Sequence, residues 1–66
     1  MKFNEILRKE REDRNLTQTE FATQIGLSQG TYSKYERGER QPDMELLLVI
    51  ANYYKISLDY LFGRYK

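Results

Sequence analysis

Cysteine and histidine are both missing from the 66 residues, and the two absences exclude whole classes of function. Without cysteine there is no disulfide and no thiolate metal site. Without histidine the commonest metal ligand and the usual general base near neutral pH are gone, so neither an enzyme nor a metal or other cofactor is expected. No apolar run approaches the ~20 residues needed to cross a bilayer. The opening "MKFNEILRKERED" turns charged too soon for a signal peptide. Charge of one sign is lacking as well: 11 basic and 10 acidic side chains leave a net +1, too little to announce a polyanionic partner by itself. Such a partner has to be argued from where the charges lie. A chain this short makes one domain at most, so residues 1–66 are expected to be a single soluble, cytoplasmic unit.

Helical periodicity is abundant. Phe3, Ile6 and Leu7 form an apolar stripe that continues through Arg11 and Arg14, which predicts a first helix over roughly residues 4–14. An arginine on an inward stripe is costly unless a carboxylate meets it, so Arg11 requires an acidic partner from elsewhere. Thr17-Gln18-Thr19-Glu20 has the form of a capping box and starts a second helix. Its inner face is Phe21, Ala22 and Ile25, and Gly26 suits its end. Ser28 caps a third helix whose Tyr32 and Tyr35 point inward and which Gly38 can stop. With little more than Gly26 and Leu27 between them, the second and third helices should form a corner rather than a hairpin. Pro42 and the cap Asp43 open a fourth helix, "MELLLVIANYY", running to about Tyr54. Ser57 caps a last short helix, "LDYLFG", stopped by Gly63. Five short helices and no strand pattern predict an all-α domain.

The third helix has an unusual outer face. On a helical wheel Gly30, Ser33, Lys34 and Arg37 fall within about 100°, opposite Tyr32, Tyr35 and Glu36. Gln29 sits in its first turn. Small residues, hydrogen-bonding side chains and cations are what a helix in a DNA major groove needs. A solvated polar face has a similar composition, and both remain open on these residues alone. The tight corner before this helix and the loop "ERGERQPD" after it favour the groove.

Residues 18–38, "QTEFATQIGLSQGTYSKYERG", resemble the helix-turn-helix of the phage repressor and Cro family. Ala22 stands where that family has a small residue allowing close helix contact, Gly26 where it has the turn glycine, and Tyr32 and Tyr35 where it has bulky anchors. "YERGERQPD" and "LLLVIANYYKISLDYLF" continue the likeness over essentially the whole chain. The resemblance implies a compact five-helix, lambda-repressor-like DNA-binding domain with its helix-turn-helix at about residues 18–37. It supplies Glu36 as the structural partner of Arg11. It further implies Gln29, Gly30, Ser33 and Lys34 as base-reading positions and Gln18, Ser28, Arg37 and Arg40 as phosphate contacts, while Glu39 departs by placing an acid in the loop.

The partner implied is double-stranded DNA, bound as a homodimer on half-sites about one helical turn apart. The activity implied is transcriptional regulation, as a repressor occupying a promoter, in the cytoplasm and on the nucleoid of a bacterium or encoded by a phage. No small-molecule effector site and no membrane contact is expected. The fourth helix offers a pairing surface, with Met44, Leu47, Leu48 and Ala51 on one stripe and Leu46, Val49, Ile50 and Tyr53 on the next, next to Tyr60, Phe62 and Tyr65 in the tail. A protein-interaction module, such as an antitoxin-like or adaptor domain, is the alternative function.

Overall fold

Five helices follow one another along residues 2–62, the part of the chain described by a computed structural model. They are α1 (Phe3–Asp13), α2 (Gln18–Gln24), α3 (Gln29–Glu36), α4 (Met44–Tyr54) and α5 (Leu58–Leu61), with no strand among the described residues. The expected stop at Gly63 and the tail residue Tyr65 lie outside the described residues.

The starts of α2 to α5 are set by the anticipated caps. Thr17 accepts from the Glu20 amide while the Glu20 carboxylate accepts the Thr17 N–H at 2.8 Å, so two otherwise orphaned donors are met reciprocally. Ser28, Asp43 and Ser57 accept from the amides of Thr31, Leu46 and Tyr60. The start of α1 relies instead on Glu5, whose carboxylate accepts the Lys2 N–H at 2.8 Å.

The corner between α2 and α3 is closed by the backbone. Gly26 adopts φ +78°, which a residue with a Cβ rarely does, and the Leu27 N–H returns to the Ala22 carbonyl at 2.9 Å. That bond terminates α2 and turns the chain directly into the cap of α3. Ala22 is fully buried there.

Phe21 stands at the centre of the core. Its ring stacks on Tyr54 at 4.7 Å and meets Tyr32 edge-on at 5.2 Å, so α2, α3 and α4 share one aromatic joint. Ile6, Leu7, Tyr35, Leu47, Ile50, Ala51 and Leu61 complete the buried set. The apolar excess of α4 resolves as follows: Leu47, Ile50, Ala51 and Tyr54 face the core, while Met44, Leu48, Val49 and Tyr53 remain substantially exposed. Arg14 ends up half-exposed on the inward stripe, its guanidinium 4.2 Å above the Tyr54 ring and bonded to the Glu10 carboxylate at 2.7 Å.

Candidate nucleic-acid interface

Two polar residues of α3 are buried, Glu36 and Ser33. Glu36 receives Arg11 in a fork, Nε to Oε2 at 2.6 Å and Nη2 to Oε1 at 3.1 Å. The remaining Arg11 donor, Nη1, reaches the Leu16 carbonyl at 2.7 Å. The Tyr32 hydroxyl donates to Oε2 and the Gln18 amide donates to Oε1 at 3.0 Å. A buried carboxylate with four donors keeps its charge at tolerable cost. Burial alone would raise the Glu36 carboxyl, but the donors from Arg11, Tyr32 and Gln18 outweigh it and hold the group below the usual carboxylate range. The same contact raises Arg11, and burial together with the Glu36 charge pushes the Tyr32 hydroxyl far up. The acid required by Arg11 is therefore Glu36, and it fastens α1 to α3.

The network does not stop at the core. Because the Gln18 N–H2 faces the carboxylate, its Oε1 is turned outward, where it accepts from Gln29 Nε2 at 2.7 Å. An exposed glutamine on the first turn of α3 is thus oriented by a chain of polar contacts running back to a buried ion pair. Gln18 was expected only as a phosphate contact. Its link to Glu36 had no sequence signal, since the two residues are 18 apart in the chain.

The other candidates divide by exposure. Gly30 and Lys34 are exposed, and a Cβ built on Gly30 would meet nothing within 4 Å. Lys34 has no ion pair among the described residues. Ser33, expected on the outer face, is buried instead. It lies at the flank of the wheel nearer Glu36, its hydroxyl donates to the Gly30 carbonyl at 3.1 Å, and Arg37 Nη1 closes over it at 2.8 Å. Ser28 uses its hydroxyl on Thr31, accepting the amide at 3.2 Å and donating to Oγ1 at 2.9 Å. Arg37 forks onto Glu39 at 2.7 and 3.1 Å, so the unexpected acid of the loop is neutralised by a neighbour. That pairing lowers the Glu39 carboxyl and raises the Arg37 guanidinium. Arg40 stands over the Tyr35 ring at 5.7 Å.

Known proteins share this five-helix fold. The helix-turn-helix family matches residues 7–61, which takes in every helix from within α1 to the end of α5. The chain belongs to the helix-turn-helix family. It is 46% identical over 65 residues to the cryptic phage CTXphi transcriptional repressor RstR of Vibrio cholerae, covering 98% of this chain and 58% of that protein. It is 36% identical to the transcriptional regulator ImmR of Bacillus subtilis, covering 97% and 50%. It is 39% identical to the transcriptional activator BcrR of Enterococcus faecalis, covering 92% and 30%. The chain therefore spans about half the length of the curated relatives it matches, and less of BcrR. Among solved structures, the P22 c2 repressor in complex with a synthetic operator superimposes with a TM-score of 0.88 at 28% identity, covering 98% of each chain. The fold is that of the repressor DNA-binding domains, and the family is one of transcriptional regulators rather than enzymes. No helix among the described residues is long and apolar enough to cross a membrane.

Proposed function

We propose that the chain is the double-stranded DNA-binding part of a transcriptional regulator, with α3 laid in the major groove. The observation that carries this is the aimed Gln29. One of its two amide hydrogens is spent on Gln18, which leaves its carbonyl oxygen and second N–H to match the N6 donor and N7 acceptor of an adenine edge. Gly30 beside it lets the backbone come close, and Lys34, one turn on from Gly30, is an exposed cation with no ion pair among the described residues. The P22 c2 repressor, which shares the fold, has been captured on an operator, and this supports the same docking here.

Homodimeric binding on two half-sites is supported by the exposed apolar side chains Met44, Leu48 and Val49 of α4. Repression by occupying a promoter is supported by RstR, the relative at 46% identity, which is named a repressor. Gln18, Ser28, Arg37 and Arg40 are assigned to the phosphate backbone, Ser33 to the rim of the base-reading face.

The decisive experiment is a titration of fluorescent duplexes, selected and random, at two salt concentrations. Gln29→Ala is expected to cost roughly 1 to 3 kcal/mol on the preferred site and to relax preference at one base pair. If that variant keeps both affinity and preference, and the wild-type protein binds no duplex better than random DNA, α3 does not read bases and its smooth face belongs to a protein partner or to solvent.

A further inference from the structure

The hydrogen bonds that reach Gln29 have a direction, and that direction is fixed from inside the protein. Glu36 is buried, and although burial pushes its carboxyl up, the donors from Arg11, Tyr32 and Gln18 hold it below the usual carboxylate range. At neutral pH it therefore carries no proton, and a carboxylate without a proton only accepts. Each of its oxygens takes two donors: Arg11 Nε and the Tyr32 hydroxyl on Oε2, Arg11 Nη2 and Gln18 Nε2 on Oε1.

Gln18 and Gln29 are carboxamides, which donate from one end and accept at the other. Rotation about the last bond exchanges the two ends at almost no change of shape, so packing does not choose between them. The charge of Glu36 does. Reversing Gln18 would set its oxygen against Oε1 of Glu36 with no hydrogen between them, so its N–H2 is held inward and its Oε1 outward. That outward oxygen in turn admits only the N–H2 end of Gln29, at 2.7 Å. The neighbouring Ser28 hydroxyl offers no competing partner, because it is committed to Thr31.

We propose that Glu36 is a specificity-determining positioning residue: by accepting only, it fixes the polarity of both glutamines and makes Gln29 present one acceptor and one donor to the base it faces. The assignment rests on the base-reading role given to Gln29 above and adds what selects the base. An acceptor beside a donor complements the N6 donor and N7 acceptor of adenine, whereas guanine offers two acceptors, N7 and O6, and would set O6 against the Gln29 oxygen. Without the carboxylate both amides are free to turn over, and Gln29 can offer its N–H2 to guanine as readily as its mixed edge to adenine. The base preference of an exposed side chain is thus set by a buried ion pair behind it.

The test compares adenine with guanine at the base pair where Gln29→Ala relaxes preference, with melting curves checking that each variant is folded. The wild type is expected to favour adenine by roughly 5- to 150-fold, the range of a two-point base contact. Arg11→Met with Glu36→Leu removes the acceptor and its charge partner together, and should narrow this to about twofold while affinity for a random duplex is unchanged. Arg11→Met with Glu36→Gln keeps the native bulk but can donate to Gln18 as well as accept from it, so it should narrow the preference too. Tyr32→Phe disturbs the same network and leaves the acceptor in place; it should lower the melting temperature and keep the full preference. In the free protein, a through-hydrogen-bond NMR coupling from Gln29 Nε2 to the Gln18 carboxamide carbon should be present in wild type and Tyr32→Phe and lost in the two double variants. Full adenine preference in a folded variant without the Glu36 carboxylate, or a preference lost in folded Tyr32→Phe, would overturn the inference while leaving base reading by Gln29 intact. If Gln29→Ala relaxes no position, base reading itself fails and the inference falls with it.

Discussion

Glu36→Ala isolates the contact on which both the fold and the orientation of Gln29 depend. The substitution removes the acceptor of two Arg11 donors, of the Tyr32 hydroxyl and of the Gln18 amide. Removing one partner of a buried ion pair costs about 3 to 5 kcal/mol. The lower end applies here, because Arg11 retains the Leu16 carbonyl at 2.7 Å and has the exposed Glu12 carboxylate at 3.9 Å. A domain of 66 residues has a total stability of roughly 3 to 10 kcal/mol, so the variant stands near the edge of folding. Its melting temperature should fall by roughly 12 to 24 °C. The measurement is a thermal melt followed by circular dichroism, paired with urea unfolding to show that the midpoint moves and the slope does not. Arg11→Met combined with Glu36→Leu replaces the ions by apolar groups of similar bulk. That double variant should be more stable than Glu36→Ala, short of wild type by the about 1 kcal/mol that an orphaned Tyr32 hydroxyl costs. The reasoning fails if Glu36→Ala melts within about 3 °C of wild type, or if the double variant loses as much as its two single changes added together.

Ala22→Leu should lower stability by about 1 to 3 kcal/mol, more than any single change at Gly30 or Lys34, because a fully buried alanine beside a closed corner leaves no room for a larger side chain; an unaltered melting temperature would refute the close contact. Tyr54→Phe should leave stability unchanged or raise it by up to about 1 kcal/mol, since the Tyr54 hydroxyl is buried with no hydrogen-bond partner among the described residues; a loss above that size would reveal a partner. Acid should unfold the protein through Glu36 and Glu10. Burial pushes both carboxyls up, but their donors, Arg11, Tyr32 and Gln18 for the first and Tyr60 and Arg14 for the second, prevail and hold both below the usual range. Depressed folded-state values mean that the stabilisation is fully present above the unfolded carboxylate value of about 4.3 and is lost as pH falls through the folded values. The Arg11→Met, Glu36→Leu variant should therefore lose less melting temperature than wild type between pH 5 and pH 3, and equal losses would count against the pair.

Local signals carried the element boundaries. Thr17, Ser28, Asp43 and Ser57 each cap the helix that follows because a side-chain oxygen next to a helix start needs only the amides two or three residues on. Gly26 was equally legible, since a positive φ at a helix end is a local demand. The same is not true of Lys55, which ends α4 in the left-handed region at φ 56° without being glycine, or of Asn15 at φ 57°. Helical periodicity placed Tyr32 and Tyr35 inward, but Ser33 shows its limit, because a side chain at the flank of the wheel goes wherever its hydroxyl finds partners.

By itself, then, the sequence determined that this chain makes five helices, four of them started by a capping side chain, with a tight corner, and that an arginine on the inner stripe of the first must find an acid. Periodicity and capping act over four residues or fewer, so they can be read along the chain. Tertiary structure alone decided how residues distant in sequence meet. The four donors around Glu36 come from residues 11, 18 and 32, the aim of Gln29 is inherited through Gln18, and Asn4 of α1 meets the Glu36 carbonyl at the end of α3. Hydrogen bonds and screened charges act over a few ångströms, so these partnerships exist only once packing around Phe21 has brought the helices together.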